Sequence, residues 1–435
     1  MSSPGRRTFV GFGLGAIQAG LFLHEAQAGG CFERLVVAEV VPDTVRQVRD
    51  NGGLITVNIA HRGHIEAARV GPVEVLNPAV EEDRRTLVEA IAAAQEIATA
   101  VPSVSFYCSS PGPDAICRIL AAGLEEKARR GGPRAVVYAA ENHNHAAEIL
   151  QEQVLGAVPE AAREGVSRQA RFLNTVIGKM SGMIGDPVEI QALGLEPLTP
   201  GNRRAFLVEA FNRILISRIH FDEPGFTRGI TAFIEKEELL PFEEAKLYGH
   251  NATHALATYL GALLGVQRIA DLPAVPGMMG FLRQAFIEES GAALIRRHQG
   301  VDPLFTPAGY AAYADDLLER MVNPYLSDTV ERVGRDPERK LGWDDRLVGT
   351  LRLGLSTGIH PGRYALGAAA ALVYLEPAYL EGSTDPGQRL GNLWGEGSQN
   401  PQAGQVLDLI RQALAHLRRW RTTGQVDPHE LLAFP

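Results

Sequence analysis

Residues 8–22 read TFVGFGLGAIQAGLF, and the fold turns on the three glycines at its centre. A short apolar run rich in bulky side chains enters a turn holding Gly11, Gly13 and Gly15, and a helical pattern follows. Glycines at a strand-to-helix turn permit a tight bend and let the backbone approach a pyrophosphate, which then rests on the helix N-terminus. Two registers are open. With Gly13 and Gly15 as the first two glycines, Gln18 takes the third position; with Gly11 and Gly13, Ala16 does. Either one leaves Gly13, Gly15, Ala16 and Ile17 at the turn and the helix start. The next apolar run, RLVVAEV (34–40), carries Glu39 near its end. An acidic residue at the tip of the second strand accepts hydrogen bonds from the adenosine ribose and disfavours a 2′-phosphate, so the pattern predicts NAD rather than NADP. The alternative is a glycine-rich turn that binds no nucleotide.

Working outward, strand-like and helix-like runs alternate through the first half. TFVGFG, RLVVAEV, LITVNIA, AARVGPVEVL, VSFYCS and AVVYAAE read as strands; GAIQAGLFLHEAQ, DTVRQVRDN, TLVEAIAAAQEIATAV and PDAICRILAAGLEEKARR read as helices. That alternation predicts an α/β domain, a mainly parallel sheet with helices on both faces. From GNRRAFLVEAFNRIL (201–215) onward, helical periods dominate. The Pro- and Gly-rich GLEPLTPGN (194–202) is the candidate boundary. The expected organisation is a Rossmann-type NAD-binding domain over 1–197 and a mainly α-helical domain over 198–435.

Composition excludes some classes. The chain has 435 residues, 45% hydrophobic and 21% charged, with a net charge of −9 and a pI near 5.8. Nothing in that balance points to nucleic acid or an anionic membrane as partner. YALGAAAALVYL (364–375) is the longest apolar run, shorter than the roughly 20 residues of a membrane span, and reads as a buried helix. MSSPGRR runs directly into TFVGFG and does not resemble a secretory leader. Three cysteines, Cys31, Cys108 and Cys117, show no CxxC spacing, which argues against a disulfide framework and a cysteine zinc site and fits a reducing cytoplasm. His143 and His145 in ENHNH lack a third ligand and read as polar surface, so no metal is expected.

The chemistry-bearing stretch is KLYGHNATHALATYLG (246–261). Asn251 and His254 lie three apart and share a helical face; Lys246 precedes them by about a turn. Removing hydrogen from an alcohol needs a base for the hydroxyl proton and donors for the developing alkoxide. A desolvated lysine can be that base. Asparagine and histidine can hold the oxyanion. Bland readings compete: a solvated lysine, an N-cap asparagine and a core histidine.

This lysine, asparagine and histidine spacing, followed by YLG, resembles the signature of the polyol-specific long-chain dehydrogenases, the mannitol dehydrogenase family. FGLGAIQAG (12–20), VVYAAEN (136–142), RMVNPYLSDTVERVGRDPERKLGWDDRLVG (320–349) and ALGAAAAL (365–372) fit the family's other segments, in the family's order. The 320–349 segment is most similar to the mannitol-1-phosphate 5-dehydrogenase branch. The resemblance implies a zinc-independent, NAD-dependent oxidoreductase of sugar alcohols or their phosphates, with substrate bound between a Rossmann-type and a helical domain. Carried over by position, Lys246 is the general base. Asn251 and Asn142 stabilise the alkoxide, His254 orients the substrate, and Arg320 binds its hydroxyls or phosphate. Two positions depart from the pattern. TVIGKMSG (175–182) has Gly178 and Lys179 where the family carries an Asp-Arg pair, and Ser327 stands where close relatives have lysine. The expected reaction interconverts a polyol or polyol phosphate and a ketose. Alternatives are another sugar alcohol or hexuronate as substrate, or a non-catalytic sensor of NAD or sugar phosphate.

Overall fold

The computed structural model describes residues 7–222, 225–382, 384–422 and 427–434. The chain divides into two compact units, Met1–Leu239 and Leu240–Pro435.

The first unit carries strands β1 (Arg7–Phe12), β2 (Phe32–Ala38), β3 (Ile55–Ala60), β4 (Ile65–Val70), β5 (Val73–Leu76), β6 (Glu96–Thr99), β7 (Ala135–Ala139), β8 (Ala170–Val176), β9 (Ser181–Ile184), β10 (Ala205–Glu209), β11 (Ile214–Ser217) and β12 (Phe233–Lys236). Eight of them form one sheet in the order β12-β11-β8-β7-β6-β1-β2-β5; the others form a smaller sheet, β4-β3-β10-β9. From β5 to β8 every neighbouring pair is parallel. That run is the doubly wound order, with the strand order, not the chain direction, reversing between β1 and β6. Alternate residues feed opposite layers: Phe9, Val37 and Val136 face one core, while Val10, Val36 and Val137 face the other. Burial on both faces explains why these strands read as continuous apolar runs.

Three readings of the first half change. QEIAT does not continue a helix. The helix Glu81–Ala93 stops at Ala94, and Glu96–Thr99 is β6, fully buried beside β1. A short alanine-rich apolar run gives the same signal in a buried strand as in a buried helix. VSFYCS is not a strand but a single 3₁₀ turn, Val104–Phe106, capped by Ser103. That turn brings Cys108 back to Cys117 near the start of the helix Ile116–Arg130. The two form a disulfide with Cα atoms 5.7 Å apart, leaving Cys31 free. Spacing nine residues apart does not reveal such a pair, because only the turn brings the Cβ atoms within bridging reach.

The unit also runs past the boundary expected at 197/198. AFLVE is strand β10, not helix, and it adds to β3; β11 and β12 then extend the main sheet. GLEPLTPGN is therefore a connection inside the first unit, ending where Leu198 N–H bonds Arg204 O.

The second unit is helical. Its core gathers around the helices Ala252–Leu263, Gly362–Leu375 and Ala403–Thr422. Gly367 lets the second cross the first closely, since a Cβ there would lie 2.7 Å from Leu256. YALGAAAALVYL is thus a buried core helix, and no helix among the described residues is long and apolar enough to cross a membrane.

Candidate active site

The first unit's site builds from the point where strand order reverses. β1 ends at Phe12 and the chain turns through Gly13, at φ +82°, whose N–H bonds Ala38 O at 2.9 Å. A Cβ on Gly13 would lie 2.9 Å from Ala100 O at the end of β6. Gly13 is therefore required twice, by conformation and by closeness. Around Gly15 a Cβ would meet nothing within 4 Å, so the turn is open there. One continuous helix then runs from Ala16 to Ala28, with a π-turn over Gln18–Leu23. Its first N–H groups, at Ala16 and Ile17, have no carbonyl one turn back within the helix. Gly11 serves packing instead: the fully buried Gln18 side chain lies where its Cβ would be. These contacts favour the register that begins at Gly13.

Glu39 closes the turn. One carboxylate oxygen accepts Leu14 N–H at 3.0 Å and the other accepts Val41 N–H at 2.8 Å. Each oxygen keeps a lone pair for a further donor. On the same strand edge, Glu141 ties the ends of β6 and β7. It accepts from Thr99 Oγ1 at 2.9 Å, Val101 N–H at 3.0 Å and the Tyr107 hydroxyl. Burial raises its pKa, partly offset by these donors. Asn142 follows it, exposed. His143 and His145 are exposed beside it, with rings 6.2 Å apart. At the departures, Gly178 has room for a Cβ, 3.7 Å from Phe211, and Lys179 donates to Phe211 O at 2.8 Å.

In the second unit the lysine motif sits on a π-turn, Ala245–Asn251, that continues into the α-helix Ala252–Leu263. Five residues along an α-helix leave side chains roughly 140° apart. A π-turn closes its hydrogen bonds over five residues, which brings Lys246 and Asn251 onto one face. Asn251 and His254, three apart on the α-helix, continue that face. Asn251 makes no capping bond with its side chain, which removes the N-cap reading. Gly249 lets the π-turn pack closely on its neighbours: a Cβ there would lie 2.5 Å from the Tyr310 hydroxyl and 2.7 Å from Phe286. Phe286 belongs to a second π-turn, Ala285–Gly291.

The electrostatics of this face are cationic. Lys246 is brought down to a pKa of about 8, first by burial and then by the Arg346 guanidinium, with Glu243 opposing. Burial, followed by Arg320, His254, Lys246 and Arg346, holds His250 neutral. His254 is pushed down to about 3 by burial and then by Arg332, Arg346 and Lys340. Arg320 pairs with Asp316 at 3.1 Å and Arg346 with Asp345 at 2.8 Å. Lys246, Asn251, His254 and Arg320 are thus gathered within the second unit; Asn142 and the glycine-turn residues belong to the first. Arg346 ends the mixed-charge run GRDPERKLGWDDR (334–346), in which nothing local marks one guanidinium as facing the lysine. The usable signal was Asp345, whose carboxylate accepts Arg346 N–H and starts the helix Arg346–Thr357. Thr350 Oγ1 of that helix bonds Tyr248 O at 3.3 Å, which packs it on the π-turn.

Comparison with known proteins agrees with both halves. The mannitol dehydrogenase Rossmann domain matches residues 7–223 and the mannitol dehydrogenase C-terminal domain matches 238–420. Among solved structures, the chain is similar to a D-sorbitol dehydrogenase in substrate-free form, with a TM-score of 0.74 at 15% identity, covering 99% of this chain and 95% of that one. It is also similar to Pseudomonas fluorescens mannitol 2-dehydrogenase in a ternary complex with NAD and D-mannitol, with a TM-score of 0.70 at 17% identity and the same coverage. With both domain matches in chain order over a doubly wound sheet and a helical unit, the chain belongs to the mannitol dehydrogenase family.

Proposed function

We propose that this chain is an NAD-dependent dehydrogenase that interconverts a polyol or polyol phosphate and the corresponding ketose, with mannitol 1-phosphate and fructose 6-phosphate as the best candidate pair. The observation that carries the reading is the π-turn that sets Lys246, Asn251 and His254 along one face, with Lys246 brought to a pKa of about 8. NAD, when bound, accepts hydride from the carbinol carbon. Gly13, Gly15, Ala16 and Ile17 would hold its pyrophosphate and Glu39 its adenosine ribose. The open Cβ direction at Gly15 and the spare lone pairs of Glu39 support that fit. So does the mannitol 2-dehydrogenase of similar fold, whose structure carries NAD and D-mannitol.

In the oxidation direction, neutral Lys246 takes the hydroxyl proton, and in reduction the ammonium returns it. The Asn251 amide donates to the developing alkoxide. Neutral His254 orients the substrate. Support for a phosphate comes from Arg320 and Arg346, which both bear on His250; a guanidinium fork suits a phosphate or a sugar hydroxyl pair. The same two cations would also meet a hexuronate carboxylate, which keeps that substrate as the second reading. NADH formation across a panel of polyols, their phosphates and aldonates tests the proposal. Turnover of mannitol 1-phosphate ahead of mannitol supports the phosphate; preference for a hexuronate-derived substrate moves the assignment to the second reading.

A further inference from the structure

His254 is a neutral imidazole, so its use to a substrate depends on which ring nitrogen carries the proton. The side chain is 14% exposed, yet Nε2 is fully buried and makes no hydrogen bond among the described residues. Exposure therefore falls on the rest of the ring. The nearest acid to Nε2 is Asp328, with Oδ2 at 3.9 Å and a side chain 5% exposed.

Asp328 is held from several sides. Its other oxygen pairs with Arg332 one turn along the chain. Its carbonyl accepts Ile269 N–H at 2.9 Å, and Val330 N–H bonds Gln267 O at 2.9 Å. Thr329 caps the following helix, Val330–Gly334, through Arg332 N–H. The Asn323 turn leads into it, with Asn323 Oδ1 accepting Tyr325 N–H at 3.0 Å. The other charged or titratable groups bearing on His254 are Arg346 and Lys340, with the His250 ring 6.4 Å away. Lys340 is occupied by the carbonyls of Val333 and Arg335. Among the described residues, the charged groups bearing on the ring other than Asp328 are cationic, so of these this carboxylate is the one that can receive a proton from Nε2.

We propose that Asp328 is a positioning residue: its carboxylate accepts the Nε2 proton of His254, fixes that tautomer, and leaves Nδ1 as an acceptor for a substrate hydroxyl. The 3.9 Å gap is longer than a hydrogen bond. At that separation the carboxylate still favours the tautomer whose N–H faces it, because a buried ring lone pair aimed at an anion is repelled while an N–H is attracted. The inference rests on the reading of His254 as a substrate-orienting residue, but the tautomer itself does not.

Two measurements separate those claims. Imidazole ¹⁵N shifts of the full chain, with His254→Gln used to assign the signal, report the tautomer without any substrate. The expected signal is Nε2–H in the wild type, shifting toward Nδ1–H in Asp328→Asn. A wild-type Nδ1–H tautomer overturns the proposal whatever the enzyme's substrate. Kinetics on the polyol that turns over supply the second. Asp328→Asn is expected to lower kcat/KM about 10- to 100-fold, as when the partner orienting a functional histidine is lost. In a His254→Gln background the same change should have little further effect, because Asp328 acts through that ring. Equal losses in both backgrounds would mark Asp328 as merely structural and overturn the proposal. If His254→Gln alone has wild-type kcat/KM, the orienting role fails while the tautomer result still stands or falls on the ¹⁵N spectrum.

Discussion

At the scale of single residues, Lys246 matters because its environment sets its proton affinity. Burial outweighs the neighbouring charges, and a pKa of about 8 puts the change of charge within reach of ordinary assays. The group is protonated below that value and neutral above it. Polyol oxidation should therefore rise with pH through about 8 and level off, while ketose reduction should fall over the same range. A kcat/KM profile in both directions checks the opposed signs; matching profiles would remove the lysine from proton transfer. Glu39 gives a second prediction. Glu39→Ala should raise the KM for NAD about tenfold, the value of roughly one strong hydrogen bond, and narrow the preference over NADP. Measuring both cofactors on the same variant distinguishes ribose recognition from simple loosening of the turn, which would weaken NAD and NADP alike. Lys246 and Glu39 could be proposed from the sequence because such residue types at such spacings suit proton transfer and ribose recognition. Asp328 and Arg346 could not, since a carboxylate or guanidinium in a run of mixed charge gives no sign of burial.

At the scale of elements, the π-turns are what the sequence concealed. Spacings of five and then three do not share a face on an α-helix, and only the wider turn aligns them. Gly249 is the position where that turn meets Tyr310 and Phe286. Gly249→Ala should gain about 1 kcal/mol of helix propensity but lose about 1–3 kcal/mol to overpacking, so destabilisation should win. Urea denaturation reads the sign; a stabilised variant would mean the crossing yields easily. In the first unit, Lys127 is buried and donates to Ala92 O at 3.1 Å, Ala94 O at 2.5 Å and Pro133 O at 3.0 Å, satisfying the end of the helix Glu81–Ala93. Lys127→Met should cost roughly 2–4 kcal/mol by leaving those carbonyls unbonded. The same denaturation experiment tests it, and an unchanged midpoint would count against it. β6 shows the limit of periodicity. Glu96 sits in a fully buried strand because Gly229 N–H, Ile230 N–H and the Tyr138 hydroxyl satisfy its carboxylate. Those partners lie far along the chain, so a local reading takes the glutamate for a helical surface residue.

At the scale of the whole molecule, alternation of strand and helix followed by helical periods was enough to assign an α/β unit and a helical one. The glycine turn fixed where the doubly wound order begins. The division at 239/240 was not readable. Three strands follow the Pro- and Gly-rich stretch and rejoin sheets begun much earlier, and long-range pairing leaves no local mark. The chain is acidic overall, at −9, while the lysine face of its second unit is cationic. That contrast suits an anionic small molecule better than a polyanionic partner. The central claim is turnover by proton transfer through Lys246. It is tested most directly by steady-state NADH formation from mannitol, mannitol 1-phosphate and related polyols and aldonates, with wild type and Lys246→Ala side by side. The wild type should turn over, fastest on the phosphorylated polyol, and the alanine variant should lose about 10²- to 10⁴-fold with NAD binding intact. No turnover of any substrate by NAD-bound wild type, or an alanine variant that keeps most of the activity, would contradict it.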